Sequence, residues 1–128
     1  MKRDLDLIRA LLLKVEADPP PRLGPTAISS FGIAGHTELE VRHHVDMLLE
    51  AEFLSGDSNN IATVDINGTP TLVARFKLTW RGYELLDDIR DPEIWRKTKE
   101  RAKGVVGLGL GLVWELAKAE IRSKLGLP

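Results

Sequence analysis

The chain has 128 residues, of which 43% are apolar and 29% charged, and its 18 basic and 19 acidic residues give a formal net charge of −1. This composition is typical of a globular protein with one hydrophobic core, and it excludes a disordered chain and a histone-like protein that binds nucleic acid through bulk positive charge. Because the chain has no Cys, disulfides and thiolate zinc sites are excluded as well.

The first predicted helix runs from about Lys2 to Ala17, because apolar residues recur there at steps of three and four. It must end before Pro19, since proline lacks the N–H group that a helix interior needs. A short extended segment over Thr26–Ile33 is predicted next. The apolar stripe of the helix consists of Leu5, Ile8, Leu11, Leu12 and Val15.

A second helix is predicted over Thr37–Phe53. Thr37 followed three residues later by Glu40 has the spacing of a capping box, in which each residue bonds the backbone N–H of the other. The predicted buried stripe of this helix consists of Val41, Val45, Leu48, Leu49 and Phe53.

A β-hairpin is predicted from two apolar stretches, Ile61–Ile66 and Thr69–Leu78, on either side of Asn67-Gly68. Asn-Gly is typical of a two-residue type I′ turn. Such a turn pairs Ile66 with Thr69 and Asp65 with Pro70, at a position where the missing N–H of proline costs nothing. In that register one face of the hairpin carries Val64, Ile66 and Val73.

Three further helices complete the predicted order. The first begins after Thr79 and ends near Arg90, and the second opens at Asp91-Pro92, an N-cap residue followed by proline, and continues towards Lys103. The last spans about Leu110–Leu125. The predicted buried residues of the three are Tyr83, Leu86 and Ile89 or Leu85; Trp95, Thr98 and Ala102; and Leu110, Val113, Ala117, Ile121 and Leu125.

The order of these elements resembles a winged-helix domain, and so do two local sequences: Val45–Leu54, similar to the end of a recognition helix, and Leu78-Thr79 followed by Gly82, similar to the exit from a wing. The predicted fold is therefore α+β and mostly helical, with a winged-helix domain over residues 1–90. Its helix-turn-helix is abbreviated, because Pro19–Gly35 is too rich in Pro and Gly for a full helix. Residues 91–128 are predicted to form a helical extension packed on that core or on a second copy.

A second set of local sequences is spread over nearly the whole chain: Met1–Arg9, His43-His44-Val45 with Leu48-Leu49, Leu78-Thr79-Trp80, Asp87–Arg90 and Trp95. These sequences resemble small bacterial and phage-associated proteins of domain-of-unknown-function family 2513. The resemblance implies a prophage or mobile-element context without supplying an activity or catalytic residues.

DNA is one candidate partner, because a winged helix reads bases with basic or amide side chains of its recognition helix. Arg42 and His43 are the candidate readers, and Arg75 and Lys77 are candidate contacts on the wing. The charge opposes this hypothesis: over Thr37–Leu54 only Arg42 is basic, whereas the acidic residues are Glu38, Glu40, Asp46, Glu50 and Glu52.

The alternative is a protein-interaction or homodimerisation module without DNA binding. Val64, Ile66, Val73 and Trp114 are apolar residues that the predicted wing and extension need to cover, and they are the candidate interface residues. A homodimer is the favoured form of this hypothesis.

Enzymatic activity is not expected, because no phosphate-binding loop, nucleophile elbow or Cys nucleophile is present. A hydrolase built on Asp88 and its acidic neighbours is a weaker hypothesis. His36, His43 and His44 have poor spacing for a metal site, so no metal and no cofactor are expected. No small-molecule substrate is expected either.

With no apolar stretch of about 20 residues, the chain is predicted to be a cytoplasmic protein without a membrane segment.

Overall fold

A computed structural model of the chain describes residues 2–17, 26–27, 33–56, 61–64, 70–74, 76–103 and 109–128. The fold is α+β and mostly helical, as predicted, and the antiparallel strands lie where a wing was expected. The elements in chain order are α1 (Leu5–Ala17), β1 (Thr26–Ala27), α2 (Glu38–Glu50), β2 (Leu54–Gly56), β3 (Ile61–Val64), β4 (Pro70–Ala74), β5 (Phe76–Leu78), α3 (Trp80–Ile89), α4 (Pro92–Ala102) and α5 (Leu110–Lys124).

The chain forms two compact units, residues 1–82 and 83–128, and the division falls inside α3. In the first unit α1 packs against α2 and β5, and α2 packs against β2. The apolar spacing in α1 and α2 explains this core, since eight of the ten predicted stripe residues are buried and Leu5 and Leu49 are half-buried. The buried apolar residues are Leu7, Ile8, Leu11, Leu12, Val15, Val41, Val45, Leu48, Phe53, Leu54 and Leu78.

The predicted N-terminus of α2 is confirmed. Thr37 is the N-cap, its hydroxyl accepts a hydrogen bond from the Glu40 N–H at 3.1 Å, and the same hydroxyl contacts the Glu40 carboxylate at 3.3 Å. This satisfies one of the free N–H groups of the first turn. The helix ends at Glu50, three residues before the predicted end. The residues that follow make the turn into β2, a strand that was not predicted.

The predicted hairpin register is wrong by one residue. Ile61 lies opposite Val73 and Val64 lies opposite Pro70, whereas the two-residue loop required Asp65 opposite Pro70. An odd number of residues, 65–69, separates Val64 from Pro70, and a two-residue loop can close only an even number. The placement of Val64 and Val73 on one face depended on the predicted register and does not follow from the observed one.

Two further strand pairings are present that the sequence did not predict. β4 also pairs with β1, with Thr26 opposite Ala74, and β5 pairs with β2. Of the predicted segment Thr26–Ile33, residues 28–32 lie outside the described residues. The Asn67-Gly68 dipeptide and most of Pro19–Gly35, the stretch on which the abbreviated helix-turn-helix was predicted, also lie outside them.

In the second unit, Asp91 caps α4 with hydrogen bonds from the N–H groups of Glu93 (2.8 Å) and Ile94 (3.2 Å), as its sequence predicts. The Lys124 ammonium binds the other Asp91 oxygen at 3.1 Å, and this bond is the main cause that lowers the pKa of the Asp91 carboxyl. Arg101 forms an ion pair with Glu120. These contacts join α4 to α5 within the unit.

Two predicted burials in the later helices are wrong. Tyr83 is 41% exposed, because the buried stripe of α3 is Leu85, Leu86 and Ile89, with Gly82 one turn earlier at the same spacing. Leu125 is 67% exposed, because α5 ends at Lys124 and Gly126 then turns the backbone with φ of 72°.

Candidate protein-interaction site

The site is built on the junction between the end of α2 and the start of α3. Glu52 has a left-handed backbone, with φ of 65°, and this turn is closed by a 2.9 Å hydrogen bond from Phe53 N–H to Leu48 O. Thr79 then joins the two helices: its hydroxyl donates to Glu52 O at 2.6 Å and its N–H donates to Phe53 O at 3.2 Å. The Thr79 hydroxyl also accepts the Gly82 N–H at 3.0 Å, which caps α3.

Trp80 is the first residue of α3, and 82% of it is exposed. It lies two positions before Gly82, about 200° around the helix from the buried stripe, so the helix turns its side chain towards solvent. The preceding Thr79 is held by three hydrogen bonds, and the start of the helix is therefore fixed. A rigid backbone thus presents a large, exposed aromatic side chain.

Trp80 borders a shallow surface groove of about 560 Å³. Leu49 and Trp80 supply apolar surface, and the Arg81 guanidinium lies 4.6 Å from the centre of the Phe53 ring at the same junction. A groove with apolar walls and charged groups at its rim has the composition of a protein-binding surface. Its lining residues are Leu49, Glu52, Leu54, Ser55, Gly56, Thr79, Trp80 and Arg81.

The candidate DNA contacts are only partly brought together. Arg42 is exposed and His43 half-buried on α2, Lys77 is exposed on β5, and Arg75 lies outside the described residues. The acidic surroundings of Arg42 remain: Glu38 and Asp46, one turn before and one turn after it, are both exposed, and so is Glu50.

The predicted protein contacts are distributed over both units. Val64 ends β3 and Val73 lies in β4, whereas Ile66 lies outside the described residues. Trp114 belongs to the second unit, where its indole N–H donates to Asp88 Oδ2 at 2.6 Å and the Lys118 ammonium lies 4.7 Å from its ring. Asp88, the centre of the weaker hydrolase hypothesis, is therefore hydrogen-bonded to a tryptophan.

The histidines have different hydrogen-bond partners. His44 is 1% exposed: its Nε2 accepts the Asp4 N–H at 2.8 Å, and its Nδ1 donates to Glu40 O at 2.8 Å. These partners fix the orientation of the ring, which ties the start of α1 to α2. His36 lies between Glu40, at 3.1 Å, and Asp4, at 3.8 Å. Within the described residues, no three His, Asp or Glu side chains are grouped in a way that could hold a metal ion.

Because of Glu40, the free energy of unfolding should depend on pH in the acid range. Its hydrogen bond with His36 is the main cause that lowers the pKa of the Glu40 carboxyl below 4.5, and Thr37 adds to the effect. The ionised Glu40 carboxylate therefore contributes fully to the free energy of unfolding above pH 4.5. This contribution is lost as the pH falls through the lower pKa of the folded state. We expect Glu40→Gln to lose less stability than the wild type between pH 6 and pH 3, measured by urea unfolding. Glu38→Gln is the control, and an equal loss in all three proteins would contradict the assignment.

Trp80 and its groove were not predicted from the sequence. The signal that could have found them is the spacing of α3: once Gly82 is placed on the buried stripe with Leu85, Leu86 and Ile89, Trp80 falls on the opposite side. In the sequence, Trp80 contributes only to the family resemblance. A glycine on the stripe is hard to recognise because it contributes no apolar side chain.

In the described part of the chain, no helix has the length and apolar character needed to cross a membrane.

No solved structure matches the chain. An "Uncharacterized protein" of Haemophilus influenzae is 32% identical over 127 residues, which cover 98% of this chain and 99% of the relative. The family model described as "Hypothetical protein (DUF2513)" matches residues 2–108. The chain therefore belongs to the DUF2513 family.

Proposed function

We propose that this protein is a non-enzymatic adaptor or regulator that acts by binding protein at the Trp80 groove. The observation that carries the proposal is the exposure of Trp80, 82%, on a backbone fixed by Thr79. Tryptophan is enriched among the few residues that dominate the energy of protein interfaces. The fixed backbone at this position also lowers the entropy lost on binding.

The charges on α2 support protein over DNA as the partner. Glu38, Asp46 and Glu50 are exposed there together with Arg42. A helix with this excess of negative charge repels phosphates, which supply most of the affinity of DNA-binding proteins. Protein surfaces carry no such uniform charge, so the acidic helix does not oppose this kind of partner.

The proposal is tested by selecting peptides from a random phage-displayed library on the immobilised wild-type protein. We expect selected peptides to share at least one large apolar side chain that fits beside Trp80 and to bind Trp80→Glu at least about tenfold more weakly. Glutamate at the first position of a helix is favourable to the helix dipole, so this variant should keep its fold.

Leu39→Glu is the matched control, because Leu39 is also exposed, at 64%, in the first turn of a helix of the same unit. It should retain wild-type binding. Peptides that bind Trp80→Glu as tightly as the wild type would place the binding surface elsewhere and overturn the proposal.

DNA binding is the second candidate, and the exposure of Arg42 and Lys77 favours it. A labelled mixed-sequence duplex, titrated at low and at near-physiological salt, tests it by fluorescence anisotropy. Affinity that falls steeply with salt, and that is weakened by Arg42→Ala and Lys77→Ala, would support phosphate contacts. His43 and Arg75 are the further candidates. Absence of binding at low salt would remove this function.

The wider setting rests on the family resemblance. We propose a phage-type regulator that works in the cytoplasm, has no cofactor or small-molecule substrate and forms a homodimer. The extension that follows the wing, with Trp114 in α5, stays a proposed second contact surface. A measured metal-dependent turnover that Asp88→Asn abolishes would instead support the hydrolase hypothesis.

A further inference from the structure

Among the residues that the structure describes, β2 has an open edge beside the Trp80 groove. Within the described residues it pairs with β5 alone. The hydrogen bond from Thr79 N–H to Phe53 O sets the phase of this ladder: Leu54 and Leu78 are a non-hydrogen-bonded pair, and Ser55 and Lys77 exchange backbone bonds. The N–H and C=O groups of Leu54 and Gly56 therefore point away from β5.

The groove adjoins β2. Leu54, Ser55 and Gly56 all line it, whereas none of the three residues of β5 does. An edge with outward backbone groups two residues apart is a template for another extended strand. A helix cannot bind these groups, because its own N–H and C=O groups are already paired along its axis.

We infer that the occupant of this edge is β2 of a second copy of the chain, paired antiparallel about a two-fold axis through Ser55. This inference rests on the proposed function and names its partner. In this arrangement Leu54 of each copy pairs with Gly56 of the other, and these two pairs form four backbone hydrogen bonds in total. A two-fold axis through Leu54 would instead place the left-handed Glu52 opposite Gly56, so Ser55 is the centre that keeps every pair within β2.

Two properties of the edge fit a second copy. Gly56 has no side chain to obstruct the approaching strand, and it is exposed. Trp80 lines the same groove as Ser55, so one contact covers an exposed tryptophan of each copy. A tryptophan buries about 150–250 Å². The two Trp80 side chains and the two three-residue strands make a small interface. The dimer should therefore be weak and form at a protein concentration of about 100 µM.

A disulfide trap tests the register directly, because the chain has no Cys of its own. On the axis, Ser55 of the two copies forms a non-hydrogen-bonded pair with Cα atoms about 4.5 Å apart, within the reach of a disulfide. We expect Ser55→Cys at about 100 µM to be oxidised largely to a covalent dimer. Adding Trp80→Glu to this variant should slow the cross-link at least about tenfold.

Lys77→Cys is the matched control, since Lys77 lies opposite Ser55 in the neighbouring strand and is the more exposed of the two. In the proposed dimer its two copies are three strand spacings apart, about 14 Å, and cannot be bridged. Faster cross-linking at position 55 than at position 77 supports the inference; equal rates, or no dimer from Ser55→Cys, overturn it. If Ser55→Cys fails while selected peptides still need Trp80, the inference is wrong and the proposed function stands.

Discussion

Gly82→Ala should lower the free energy of unfolding by about 3 kcal/mol. A Cβ atom at position 82 would collide with the backbone carbonyl oxygen of Phe53 and lie 3.1 Å from its carbonyl carbon. The obstacle is backbone, so no side-chain rotation relieves it, and the Phe53 carbonyl also accepts the Thr79 N–H. The measurement is urea unfolding of the full chain, followed by circular dichroism.

Gly111→Ala is the control for this prediction. Gly111 lies in the first turns of α5, and a Cβ atom there meets nothing within 4 Å. The same substitution should stabilise this helix by up to about 1 kcal/mol. If Gly82→Ala proved as stable as Gly111→Ala, the close approach of α3 to Phe53 would be incorrect.

His44→Ala should lower the free energy of unfolding by about 2–4 kcal/mol. The substitution removes a buried ring and leaves the Asp4 N–H without its acceptor at the start of α1. His43→Ala is the control, because the neighbouring His43 is only half-buried and touches the His44 ring edge-on at 5.9 Å between centroids. We expect a loss below about 1 kcal/mol for the control. Similar values for both variants would mean that His44 is not the link between α1 and α2.

The helices could be predicted because their signals are local. Steps of three and four in apolar residues locate α1 and α2, and Thr37 and Asp91 mark helix starts through hydrogen bonds within three residues in the sequence. The same local reasoning fails at the hairpin. Asn67-Gly68 suggests a two-residue turn, but the observed pairing of Val64 with Pro70 is one residue away from it. Register depends on the packing of whole strands as well as on turn chemistry.

The site could not be predicted because its determinants are far apart in the sequence. Thr79 binds Glu52 O, 27 residues away, and Gly82 approaches the Phe53 carbonyl. The sequence shows Thr79 as a plausible helix cap but gives no indication of this second role. From the sequence, Trp80 cannot be distinguished from a buried apolar residue until Gly82 is known to belong to the buried stripe. For the same reason His44, buried through a bond to Asp4 40 residues away, resembles its neighbour His43 in the sequence.

The most direct test of the central claim is the affinity of a labelled selected peptide for three proteins: the wild type, Trp80→Glu and Leu39→Glu, measured by fluorescence anisotropy. The account predicts at least about tenfold weaker binding for Trp80→Glu alone, with Leu39→Glu equal to the wild type. Equal affinities for all three proteins, or an equal loss in both variants, would contradict the assignment of the Trp80 groove as the protein-binding surface.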